Sequence, residues 1–181
     1  LGRNNMKEPK QDKKSHSKPI FMQKIKTALL SYGMSGKVFH APFLDLHSGF
    51  EITGAWERSK RLIQSDFPEV KSYATLEALL QDDCDLVIVN TPVGTHYEYA
   101  KQVLLAGKHA IVEKAFTTTV AEAQELAALA NEKGLQLAVF QNRRWDSDFK
   151  TVQKILQDKI LGDIVEAEIH FDRYNPNLSP K

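Results

Sequence analysis

The 181-residue chain has a single cysteine, Cys84. An intrachain disulfide is therefore excluded, and a reducing compartment, the cytoplasm, is the expected location. Cys84 leads into a candidate strand, and packing is preferred over catalysis as its role. No apolar run approaches the roughly 18–20 residues that a membrane span requires. The formal net charge is only +1, which gives no reason to expect nucleic acid or a membrane as the main partner. No metal site is expected either. Residue 1 is Leu rather than Met, which points to a fragment, a processed chain or a conceptual translation, with Met22 as a candidate start.

The small net charge conceals an asymmetry. Residues 1–24 hold seven Lys/Arg against Glu8 and Asp12, a net of +5. Residues 1–23 lack the apolar core of a secretory signal and have few arginines for a transit peptide. They read as a disordered polar leader; a nucleic-acid-binding arm is the less favoured alternative. From residue 24 onward the 42% hydrophobic and 26% charged composition of the whole chain is ordinary for a globular domain.

Glycine is scarce, nine in all, so where it clusters is informative. Residues 25–36 read Ile-Lys-Thr-Ala-Leu-Leu-Ser-Tyr-Gly-Met-Ser-Gly, an apolar run feeding a tight turn of small residues. A helix is expected from Ser35 or Gly36 to about Leu46, with Pro42 ending it early or kinking it. This is the strand–turn–helix opening of a dinucleotide-binding unit, in which a diphosphate approaches the backbone and the helix N-terminus. The fingerprint is incomplete, because Ser31 stands where the first glycine belongs and only Gly33 and Gly36 follow it. Ser31, Gly33, Met34, Ser35 and Gly36 are the candidate diphosphate-binding residues.

A second strand is expected over 50–56, ending at Glu57-Arg58-Ser59-Lys60. Glu57 lies 21 residues after Gly36, where an acidic residue meets the adenosine ribose hydroxyls. Arg58, with Ser59 and Lys60, suits a 2′-phosphate instead, so NAD and NADP both stay open. Tyr73-Ala74 is a short strand candidate, and Thr75 caps a helix over 76–81. The β-branched run 85–90 suits a central parallel strand buried on both faces, ending at Thr91-Pro92. Thr95 is expected to cap a helix over 96–106 closed by Gly107. Residues 109–112 form the next strand, ending in Glu113-Lys114-Ala115. Thr119 and Glu122 make a capping box for a helix to about Lys133, with Gly134 beyond it, and 135–140 is another strand. Strands alternating with helices across short loops predict an α/β fold with a doubly wound parallel sheet, a Rossmann fold.

Ligands of such sheets bind outside the carboxyl ends of the strands. Five successive strand ends here carry polar or small residues. Lys114 is the candidate catalytic residue, since a cleft lysine can polarise a carbonyl or hydroxyl and stabilise alkoxide-like charge. The other reading of Lys114 is a solvated lysine after a strand. His96 is either the first residue of a helix with its ring in solvent or a cofactor contact. The run Asn142 to Trp145 is a hinge with an anion-binding surface, or an interdomain packing patch.

These residues carry a resemblance. The chain, over about 24–176, resembles the Gfo/Idh/MocA family of NAD(P)-dependent oxidoreductases. The resemblance rests on Ser31-Tyr32-Gly33-Met34-Ser35-Gly36, on Asn90-Thr91-Pro92 with His96, on Glu113-Lys114, and on Gln141-Asn142-Arg143-Arg144-Trp145-Asp146. The family's E-K-P signature stands here as Glu113-Lys114-Ala115, with the lysine kept and the proline replaced. The resemblance implies that Lys114 contacts the nicotinamide ribose and the substrate. Thr91, Pro92, His96, Glu113 and Asn142 would join the cofactor site. The implied cofactor is NAD or NADP. The implied reaction is hydride transfer to or from a secondary alcohol or carbonyl, with a sugar or polyol as substrate. A catalytically inactive dinucleotide-binding or regulatory module, and a truncated gene fragment, are the alternatives.

Residues 24–141 are thus expected to be the Rossmann domain, and 142–181 the hinge helix and first strand of a second, incomplete α/β domain. An amphipathic helix is expected over 148–161 and a strand over 165–171. The resemblance implies that the missing part supplies further catalytic residues and the interface of a homo-oligomer. The chain alone is then expected to bind a dinucleotide and to turn over little or nothing.

Overall fold

The computed structural model describes residues 23–57, 60–172 and 174. The expected leader over 1–23 therefore lies almost wholly outside the described residues, as does Arg58.

Ile25–Leu29 forms β1, passing from an exposed first residue to three buried ones. Gly36–His40 is a single wide π-turn, with the Ala41 N–H donating to the Gly36 carbonyl, and Ala41–Leu46 continues as α1. The expected interruption at Pro42 is thus present, as a division of the helix just before the proline. Proline has no N–H to donate and its ring crowds the carbonyl four residues back, so it fits the first turn of a new helix and not the interior of an old one.

Phe50–Trp56 is β2, Ile63–Asp66 is α2 and Lys71–Tyr73 is β3. Leu76–Gln81 is α3, capped by Thr75 Oγ1, which accepts from the Ala78 N–H at 3.2 Å. Leu86–Val89 is β4, with all four side chains buried. His96–Leu105 is α4. Thr95 does not cap it: its hydroxyl lies 2.7 Å from the Pro92 carbonyl and 2.8 Å from Thr91 Oγ1. His109–Glu113 is β5 and Val120–Glu132 is α5, which begins with the complete Thr119–Glu122 capping box. Gly107 and Gly134 take φ values of 75° and 65° after α4 and α5, the left-handed exit that favours glycine. Leu137–Phe140 is β6.

The strands lie in the order β3-β2-β1-β4-β5-β6, and β1–β2, β1–β4, β2–β3 and β4–β5 all pair in parallel. The chain doubles back between β1 and β4, so the switch point lies at their carboxyl ends. Alternation divides the core into two layers. Ala28, Val87, Val89 and Val112 face one side, with Val103, Leu104 and Leu126 from α4 and α5. Leu29, Ala55 and Ile88 face the other, with Ala41, Leu44 and Ile63 from α1 and α2. This is the doubly wound Rossmann architecture.

Residues through Ala138 form one compact unit and Val139–Lys181 a second. Within the second, Asn142–Trp145 is a 3-10 turn and Ser147–Gln157 is α6. The apolar residues Phe149, Val152 and Leu156 on α6 remain about half exposed. The strand expected over 165–171 is not formed, and Val165 and Ile169 are more than nine-tenths exposed. Alternation fits a segment to a sheet face, but only a neighbouring strand supplies the ladder. Among the described residues no helix is long and apolar enough to cross a membrane.

Candidate cofactor site

The turn after β1 is built around two glycines with different reasons for being there. A Cβ on Gly36 would lie 2.4 Å from the Ser31 carbonyl oxygen and 3.1 Å from Asn90 Nδ2, so no side chain fits. A Cβ on Gly33 would meet only Ser31 Oγ, at 3.5 Å. Gly33 therefore leaves open surface where a ligand can reach the backbone. Ser31, the departure from the fingerprint, accepts the Gly33 N–H on its own hydroxyl at 3.2 Å, so the serine stabilises the turn. Met34 is exposed.

Asn90 closes β4 beneath this turn, donating from Nδ2 to the Ser31 carbonyl at 2.8 Å. It is 7% exposed, and its Oδ1 is buried with no partner among the described residues. A buried acceptor that the fold leaves unused, next to a turn without Cβ atoms, fits a group that brings its own hydrogen-bond donor. A ribose or amide of a dinucleotide is such a group. Asn90 belongs to the run that carries the family resemblance, but it was not among the expected cofactor-binding residues. The signal was there, as an amide side chain closing an otherwise apolar strand.

The ends of β1, β2 and β4 surround a cleft of about 430 Å3. Ser31, Gly33, Glu57, Lys60, Thr91 and Pro92 line it, with Trp56, Leu62 and Tyr99 as apolar walls. Six residues predicted from three separate stretches of sequence thus meet at one opening. Trp56 and Tyr99 pack edge to face with ring centroids 5.3 Å apart.

Glu57, expected to meet the adenosine ribose, is also held by the protein itself. Its Oε1 accepts the Leu62 N–H at 2.8 Å. Its Oε2 accepts the Ile63 N–H and the Ser72 hydroxyl, each at 3.2 Å. The carboxylate therefore satisfies the open amides at the start of α2, as an acidic group does at a helix N-terminus.

Ser35 and Glu113 form a second cluster. The Ser35 hydroxyl donates to Glu113 Oε1 at 2.6 Å, and His40 Nε2 lies 2.9 Å from the same oxygen. Glu113 Oε2 accepts the Lys114 N–H at 3.2 Å. Burial raises the Glu113 carboxyl, but the bonds from Ser35 and His40 outweigh it and hold the group below its ordinary range. For His40, burial is the larger influence and pulls the imidazole below its ordinary value, against the attraction of Glu113. The pair is thus a neutral imidazole beside a carboxylate. Because a carboxylate only accepts, the hydrogen sits on His40 Nε2. His40 was passed over in the sequence as one more residue of the first helix. Lys114 itself is exposed, and the Lys114–Ala115 peptide is cis.

His96 is neither in solvent nor open to a ligand. It is 1% exposed, with Nδ1 2.8 Å from the Ala115 carbonyl and Nε2 2.7 Å from the Thr91 carbonyl. The ring joins the loop after β4 to the loop after β5. Both ring nitrogens are thus engaged by backbone carbonyls of the two loops. Asn142 lies in the second compact unit, in the 3-10 turn whose Arg143 pairs with Asp146 at 2.7 Å. Among the described residues no three or more His, Cys, Asp or Glu side chains are grouped to hold a metal.

Comparison with known proteins adds an independent line. The Gfo/Idh/MocA model, described as an oxidoreductase family with an NAD-binding Rossmann fold, matches residues 25–141. An uncharacterized oxidoreductase from Schizosaccharomyces pombe is 48% identical over 159 residues, covering 84% of this chain and 43% of the relative. The scyllo-inositol 2-dehydrogenase (NADP(+)) IolW of Bacillus subtilis is 39% identical, covering 87% of this chain and 44% of that protein. Among solved structures, GenD2 from gentamicin A biosynthesis, in complex with NAD, superposes with a TM-score of 0.71 at 29% identity. That likeness covers 76% of this chain and 40% of GenD2. The chain spans less than half the length of the curated relatives it matches.

Proposed function

Because the chain belongs to the Gfo/Idh/MocA oxidoreductase family with its NAD-binding Rossmann fold, we propose that it holds a nicotinamide dinucleotide for hydride transfer to or from a secondary alcohol or carbonyl. The observation that carries this reading is the 2.6 Å bond between Ser35 and Glu113. It joins the phosphate-type turn to the strand end that precedes Lys114, whose backbone N–H the same Glu113 carboxylate accepts.

When bound, the dinucleotide supplies or accepts the hydride. The chain's own residues do the rest. The backbone around Gly33 and Gly36 admits the diphosphate, and Asn90 holds the turn from below. Lys114 places an ammonium at the exposed end of β5. There it donates a hydrogen bond to the substrate oxygen and favours the negative charge that oxygen carries as the alkoxide. A sugar or polyol is the proposed substrate class, supported by the 39% identity to an inositol dehydrogenase. NADP is the favoured form of the cofactor. Glu57 already accepts three hydrogen bonds from the protein, while Lys60 lines the same cleft as a cation.

Residues that select the substrate, and any homo-oligomer contact, are assigned to a portion of the protein outside this chain, so these 181 residues alone should turn over little or nothing. Titration with NADH and NADPH, followed by nicotinamide fluorescence, tests the binding half of the proposal. The chemical half is tested by Lys114→Ala in a form as long as the relatives. That variant should lose about 100-fold or more in kcat with cofactor affinity kept, and undiminished turnover would refute the role of Lys114.

A further inference from the structure

We propose that His40 is a positioning residue for Lys114, acting through Glu113 and sharing that task with Ser35 of the phosphate-type turn. The proposal rests on the reading of Lys114 as the group that meets the substrate. It assigns a role to a histidine that the cofactor site does not otherwise use.

The geometry is specific. His40 closes the π-turn that follows the glycine turn and is 3% exposed. Its Nε2–H reaches Glu113 Oε1, which also receives the Ser35 hydroxyl. The same carboxylate holds the Lys114 amide on its second oxygen. Two donors from the turn side therefore fix one oxygen of Glu113, and the other oxygen fixes the residue next to it. A carboxylate with one oxygen held by two donors has little freedom to rotate, so the Lys114 backbone inherits its orientation from the turn.

The placement of His40 has a structural cause. In an unbroken α-helix the residue at this position would follow the 3.6-residue period. The extra residue of the wide turn before Pro42 alters the phase, and this altered turn buries the ring against Glu113. Ser35 cannot replace it. A serine hydroxyl has one hydrogen, and a diphosphate oxygen in the turn would compete for that hydrogen. With Ser35 turned to the ligand, His40 is the donor that keeps Glu113, and with it Lys114, in place. The relay thus lets the turn fill without releasing the lysine.

The test is amide hydrogen exchange at Lys114 in the 15N-labelled chain, read by NMR, with and without NADPH. His40→Leu fills the buried position without a donor, and His40→Gln retains an N–H. In His40→Leu, exchange at Lys114 should rise about tenfold or more, as expected when a single hydrogen bond's support is lost, and the rise should be larger with NADPH present. His40→Gln should bring it back to within about threefold of the original chain. Unchanged exchange in a folded His40→Leu overturns the proposal, and so does a Gln variant no better than Leu. If His40→Leu does not fold, Ser35→Ala decides: with its donor gone, exchange at Lys114 should still rise, by about threefold, and no change overturns the relay. This readout is independent of the chemistry of Lys114. Intact turnover in Lys114→Ala would refute the hydride-transfer role and leave the exchange result standing.

Discussion

The Asn90 side chain donates to the Ser31 carbonyl at 2.8 Å across 59 residues of chain, so the turn after β1 is held from the end of β4. The arrangement predicts an asymmetric response to substitution. Asn90→Asp replaces the donor with a second acceptor aimed at a carbonyl, which should cost about 1–3 kcal/mol of stability and weaken dinucleotide binding. Urea unfolding and a NADPH titration measure the two effects. A variant as stable and as tightly binding as the original chain would show that the bond carries neither.

The two glycines of the turn should separate folding from binding. Gly36→Ala places a Cβ 2.4 Å from a backbone carbonyl, which nothing but a shift of the turn relieves. It should lose about 2–4 kcal/mol together with cofactor binding. Gly33→Ala meets only an ordinary contact at 3.5 Å. It should melt within about 2 °C of the parent while binding NADPH about tenfold or more weakly, because the methyl group occupies the ligand's side of the turn. Equal losses in both variants would contradict this division.

The sheet was legible because its signals are local. Alternation places Ala28, Val87 and Val89 on one face and Leu29 and Ile88 on the other, and Thr119 with Glu122 states where α5 begins. The strand ends were legible for the same reason. What escaped depends on groups brought together from far apart. His96 stands at a helix start in any reading of the sequence, yet its ring is claimed by the Ala115 carbonyl 19 residues away. Glu57 has the register of a ribose ligand, and only the folded loop shows two nearby amides competing for its oxygens. His40 needed the π-turn before Pro42 and the end of β5 together. The run 165–171 shows the converse: its alternation is strict, but no described strand pairs with it.

The proposed preference for NADPH rests on how Glu57 is used. A carboxylate engaged by the Leu62 and Ile63 amides is a weaker partner for ribose hydroxyls than a free one. Lys60, which lines the same cleft, complements a 2′-phosphate. NADPH should therefore bind about fivefold or more tightly than NADH, the size of effect expected from one partly exposed charge contact. Lys60→Ala should erase most of that difference and leave NADH affinity nearly unchanged. Tighter binding of NADH would reverse the assignment.

Acid should weaken the fold through His40 before it does so through Glu113. Burial holds His40 below its ordinary value of 6.5, against the pull of Glu113. Burial raises Glu113, but its hydrogen bonds prevail and hold it below 4.5. In both cases the unfolded chain takes up a proton at higher pH than the folded chain does, so stability rises with pH across each interval. The contribution is complete above pH 6.5. It declines as pH falls toward the lowered folded value of His40, and a second decline from Glu113 begins below pH 4.5. Thermal melts between pH 7.5 and 4 should therefore show a steeper loss in the original chain than in His40→Gln, which cannot titrate there. The excess loss should set in as pH falls below 6.5. Parallel curves would mean that His40 is equally easy to protonate in the folded and unfolded chains, which is incompatible with a neutral ring buried against Glu113.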